Sequence, residues 1–222
     1  MPDLGTAQTI RWFALAAALS YLAVGVTHLL LPRDQLHLSK GISPRFFESL
    51  ATSSRLFRLH YWLFVAASLS ALGVALGLSN LIGSESLLGR MANVLGVAGL
   101  LVASLDYALM QSHALRLSRG FLTSGEQARA ALVAAGLSRI DPTGLFSFAL
   151  VGAWFAAVAS HILRSSLLPH GLGWLGLAGA AMYEIVFLGT VLHVGALVDI
   201  AAAAGCVVVG PAWFIWLSLA LG

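Results

Sequence analysis

The sequence predicts an all-α protein, a polytopic membrane bundle of six transmembrane helices with two short interfacial helices, forming a single domain over residues 1–222. Three observations lead there. Only 9% of the residues are charged, against about 25% in a soluble domain. Mean hydropathy is +0.90. The apolar residues fall into six continuous runs near the length of about 20 residues that a hydrocarbon core requires. Helices are the expected state, because lipid offers no partner to an open strand edge, and a barrel would show short alternating segments instead.

The runs lie at about 10–32, 56–79, 88–112, 144–166, 172–193 and 197–221. The first has too long an apolar stretch and too few basic residues ahead of it for a signal peptide, so it reads as a membrane helix that stays. Runs five and six are separated by very few residues and should form an antiparallel hairpin. Glycines recur at three- and four-residue spacing (Gly96 and Gly99; Gly173, Gly176 and Gly179), which lets helices approach closely in lipid. Pro211 should kink the last run or free a backbone carbonyl.

Charge gives the orientation. Arg33, Lys40, Arg45, Arg55, Arg58, Arg116, Arg119, Arg129 and Arg139 fall on one side of the membrane, and only Arg11, Arg90 and Arg164 on the other. The positive-inside rule places the larger set in the cytoplasm and both termini outside. Both basic connections contain a short helix. In "ISPRFFESLA", Ser43 is the expected N-cap and Pro44 the first helical residue, with Phe46 and Phe47 on the membrane surface. In "TSGEQARAALVAAG", Ser124 and Gln127 have capping-box spacing and Gly136 is a stop.

Composition also excludes functions. The single cysteine, Cys206, cannot form an internal disulfide or a thiolate zinc site. No basic patch suits nucleic acid.

Polar residues inside the runs carry the functional reading. Asp106 lies about 15 Å along the helix from Arg116, which places it near the midplane. Glu184 lies near the middle of run five. No Lys or Arg is expected at that depth. Each carboxyl is therefore expected to be protonated, to share a proton, to bind a cation or to hydrogen-bond, and both are candidates for handling protons. Only one member of each pair, Asp106 with Tyr107 and Tyr183 with Glu184, can point straight inward.

His28 and His60 lie at matched depth near the basic ends of runs one and two. His113 and His193 end runs three and five on that side, and Asp199 begins run six there. These five could ligate a divalent metal such as zinc, and His28 with His60 could clamp a haem b. Alternatively the histidines simply suit a wet interface, as tryptophan does. No HExxH or Gly-x-Ser-x-Gly motif is present. "VTHLLLP" and "ASHILRSSLLP" are either traces of an inverted repeat or two similar helix ends.

The C-terminal third adds a resemblance. "LLPHGLGWLGLAGAAMY" followed by "GPAWFIWLSLAL", with Pro169, Gly173, Trp174, Leu175, Gly176, Gly210, Pro211, Trp213, Phe214 and Trp216, resembles a broad bacterial family of uncharacterised six-helix membrane proteins, a domain of unknown function. The likeness covers roughly residues 143–222 and implies a bacterial membrane location and six helices, but no activity.

The expected protein is thus a bacterial inner-membrane protein with an intramembrane His/Asp/Glu site. The first reading is a cofactor- or metal-binding accessory protein in the lipid bilayer, with other membrane subunits as partners and no nucleic acid. The alternatives are a metal-dependent hydrolase acting on a lipid and a small proton-coupled transporter.

Overall fold

A computed structural model describes residues 4–36, 42–82 and 87–222. It contains eight helices: α1 (Leu4–Leu30), α2 (Pro44–Thr52), α3 (Arg55–Ile82), α4 (Leu87–Thr123), α5 (Glu126–Ala135), α6 (Leu145–Arg164), α7 (His170–Val191) and α8 (Gly195–Ala220). There is no strand among the described residues. Six helices, α1, α3, α4, α6, α7 and α8, are long and apolar enough to cross a membrane, and α2 and α5 are the two short ones. Residues 37–41, which include Lys40, lie outside the described residues.

Two clusters of buried side chains hold the fold. One runs through the spans, where Ala14, Ala17, Ala18, Ala67 and Ala71 let α1 and α3 approach, and Trp154, Phe155, Trp213 and Phe214 fill the space between α6 and α8. The glycines of α4 serve this packing. Gly96 lies against the Trp154 ring, and Gly99 against the Phe146 carbonyl and Val151. Any side chain at either position would push α6 away.

The second cluster joins α2 to the start of α3 and the C-terminal half of α4. At 37 residues, α4 is about 55 Å long, far more than the ~30 Å a hydrocarbon core requires. That extra length gives α2 a protein surface to pack on. Phe46 and Phe47, expected on the lipid surface, are fully buried here instead. Phe47 stacks on Phe121 with ring centroids 5.1 Å apart, and Phe46 meets Phe57 edge-on.

Local signals fared unevenly. Ser43 is the N-cap of α2 and Pro44 its first residue, although the Ser43 hydroxyl makes no capping bond. The capping box at α5 does not form. Gly125 is the N-cap, and Ser124 donates its hydroxyl to the Gly120 carbonyl at 2.8 Å, finishing α4 rather than starting α5. Arg129 completes that end, donating from Nε and Nη2 to the Phe121 and Leu122 carbonyls at 2.9 and 2.8 Å. These carbonyls have no intrahelical partner, and a cation suits the negative end of the helix. Gly136 stops α5 with φ +69°.

Just ahead of Pro211, α8 widens into a π-helical turn, Gly205–Val209, in which the Gly210 N–H donates to the Gly205 carbonyl. The proline has no N–H to continue the regular ladder, and the wider turn absorbs the defect. The last two spans form the expected hairpin through Leu192–Val194, with His193 at φ 55° in the turn.

Candidate functional site

Helix register fixes the depth of the acidic groups. Because Gly96 faces Trp154 and Gly99 faces Val151 in antiparallel helices, Asp106 falls opposite Gly144, the residue before α6 begins. Asp106 therefore stands level with the start of α6.

The expectation that no arginine reaches Asp106 is also overturned. The chain after α5 turns back against α4 and brings Arg139 to it. The guanidinium donates to Asp106 Oδ2 from Nε at 2.9 Å and from Nη2 at 2.7 Å, and the Ile140 N–H donates to Oδ1 at 2.7 Å. The carboxylate is 1% exposed and the arginine 24%. Burial disfavours the charge on Arg139, but the adjacent carboxylate outweighs it and raises the guanidinium pKa. Two turns along the same face of α4, His113 Nδ1 accepts the Ser138 N–H at 3.3 Å. Asp106 and His113 thus grip one stretch of chain. Asp141 continues the arrangement: its Oδ2 accepts the Ser147 N–H at 2.7 Å and its carbonyl the Gly144 N–H at 3.2 Å, which holds the first turn of α6. Sequence reading missed Arg139 and Asp141. The signal available was "SRIDPTG", an arginine and an aspartate beside a Pro/Gly turn leading straight into a span.

Glu184 lies deeper, about 10 Å inside the end of α7. Its carboxyl sits over Gly152 of α6, where an added methyl group would come within 2.6 Å of Oε1. It makes no hydrogen bond or ion pair among the described residues. Tyr183 takes the inward position on α7, with its hydroxyl 3.5 Å from that of Tyr21, beside a cavity of about 40 Å³ that Cys206 also lines.

The histidines separate into two kinds. His28 and His60 meet, with ring centroids 5.8 Å apart. Both helices place them there: α1 and α3 run antiparallel, with Ile10 against Gly77 at one end and Thr27 against His60 at the other. The Thr27 hydroxyl donates to the Ala23 and Val24 carbonyls, at 2.9 and 3.0 Å, and lies 2.8 Å from His60 Nδ1. Its single proton is shared among these contacts, and the tautomer of His60 sets whether the hydroxyl donates to Nδ1 or accepts from it. At the matching end of α6, Ser160 and His161 make no side-chain hydrogen bond among the described residues.

His28 and His60 line a cavity of about 580 Å³ between α1, α3 and α8. Arg33, Asp199 and Cys206 line it too, along with Val24, Phe64 and Val207. His113 and His193 do not. His113 is turned to the Ser138 segment, and His193 is exposed in the α7–α8 turn. Three of the five residues expected to share a metal thus line one cavity, and no group of three His, Cys, Asp or Glu among the described residues is placed to hold a metal ion. A porphyrin between His28 and His60 would have to part α1 from α3 where Thr27 and His60 are in hydrogen-bond contact.

Fold and site together define a multi-pass membrane helix bundle with a largely apolar cavity that carries a few polar groups between α1, α3 and α8. No protein family, curated protein or solved structure matches the chain.

Proposed function

We propose that this chain is a bacterial inner-membrane protein, with both termini outside, that binds a small amphipathic molecule in the cavity beside His28 and His60. The cavity carries the reading. At about 580 Å³ it is of the size that holds small ligands, and it combines apolar walls with a few polar groups. It lies where a molecule from the bilayer boundary can reach it. The inside-positive arginines and the C-terminal resemblance support the location and orientation. Accessory work with other membrane subunits remains part of this reading.

Native mass spectrometry of the protein released from membranes tests it. The wild type should carry a bound amphiphile, and Ala203→Trp, which fills the cavity from α8, should lose it. Equal bound mass in both proteins would overturn the proposal.

A second reading keeps a divalent metal on the imidazole pair, because the two rings meet at 5.8 Å and the Thr27 hydroxyl orients the His60 ring from its Nδ1 side, as an outer oxygen partner does for metal-binding histidines. It requires one zinc per chain after exposure to zinc and removal of the excess, lost in His28→Phe. Metal content below one-tenth per chain would end it.

A further inference from the structure

We infer that the amphiphile is a single-chain acidic lipid whose phosphate or carboxylate headgroup is read by Arg33 and His28; this rests on the amphiphile reading above. The cavity has a direction. Its polar residues lie at the boundary: His28 two residues from the end of α1, Arg33 in the turn that follows, and Asp199 in the first turns of α8. Its deeper wall is apolar. Val24 lies one turn further in on α1, and Val207 about two turns beyond Asp199 on α8. A lipid has the same polarity, with its headgroup at the boundary and its chain inward.

The polar groups at the boundary end differ in availability. His60 is held by Thr27. Asp199 is engaged within the chain. The Arg33 and His28 side chains make no hydrogen bond or ion pair with the described residues, and both bring N–H donors to the cavity. A guanidinium offers donors only, in a planar fork that fits two oxygens of a carboxylate or phosphate. Charge-assisted hydrogen bonds from the donor-only Arg33 guanidinium favour an anionic oxygen headgroup over a neutral alcohol or an amine. The volume suits one acyl chain within the range of small-ligand cavities.

Full-length protein in phosphatidylcholine nanodiscs, titrated with labelled oleoyl lysophosphatidate, oleate and monooleoylglycerol, tests the inference. At least one of the two acids should bind about tenfold or more tighter than the neutral lipid, the discrimination of a charge-assisted contact. Arg33→Gln and His28→Phe should each weaken the acid about tenfold and leave monooleoylglycerol unchanged. Melting curves matching the wild type confirm that both variants fold. Inorganic phosphate should not displace the bound acid.

Monooleoylglycerol binding as tightly as both acids, indifferent to Arg33→Gln, would overturn the acidic headgroup while the amphiphile site stands. Displacement by inorganic phosphate, independent of chain, would make this a free-anion site and overturn the lipid. Should no lipid bind, and Ala203→Trp change nothing, the proposed function itself falls.

Discussion

Two regions of the helix bundle handle polar side chains in opposite ways. At Asp106, the chain supplies its own partners. Arg139, the Ile140 N–H and, two turns away, the His113–Ser138 contact close the region completely. At His28, three helices bring polar groups together and leave a cavity between them. A buried charge costs so much that it must be matched, and at Asp106 the match comes from a neighbouring loop. Polar groups that face open volume have no such internal explanation. The comparison separates residues that build the fold from residues that can meet a ligand.

The largest expected effect breaks the closed region. Arg139→Leu leaves the Asp106 carboxylate buried with only the Ile140 N–H, and removing one partner of a buried pair costs about 3–5 kcal/mol. Thermal unfolding in detergent should show that loss. The double variant Asp106→Leu/Arg139→Leu should recover most of it, because neither charge is then stranded. A double variant as unstable as the single one would mean that the pair does more than satisfy itself.

The cavity side contributes the next effect. Thr27→Val keeps the shape and removes the hydroxyl that lies 2.8 Å from His60 Nδ1, costing about 1–3 kcal/mol for a buried polar group that loses its partner. Unfolding midpoints in the absence of added lipid should fall by less than for Arg139→Leu. His113→Ala should cost less again, about 0.5–1.5 kcal/mol, since its contact with Ser138 is long at 3.3 Å and exposed. Hydrogen exchange should localise that change to residues 136–140, leaving α1 and α3 protected.

The same contrast explains what could be read from the residues alone. Six spans and two short helices were legible because hydrophobic length and Pro/Gly punctuation are local properties. The meeting of His28 and His60 was legible too, since both sit a few residues from helix ends on the same side. The level of Asp106 against α6 is not legible, because it depends on how two distant helices pack. Arg139 was missed because a loop's return path depends on tertiary packing. Phe46 and Phe47 read as lipid-facing for the same reason: the surface that buries them exists only once α2 packs on α3 and α4. In each case an apolar or charged residue found a protein partner where the sequence offered only lipid or water.

The smallest expected effect sharpens the comparison most. His28→Phe removes a half-buried imidazole whose side chain makes no hydrogen bond among the described residues and keeps a ring beside His60, so its cost without ligand should stay within about 0.5 kcal/mol. Addition of oleoyl lysophosphatidate should raise the unfolding midpoint of the wild type, because a ligand that binds only the folded state stabilises it. The variant should gain less at the same lipid concentration. Arg139→Leu should show the reverse pattern, with a large loss of basal stability and an undiminished gain on adding lipid. If His28→Phe instead destabilised the empty protein as severely as Arg139→Leu, His28 would belong with Asp106 among the residues that build the fold, and the open cavity beside it would lose its claim to a ligand.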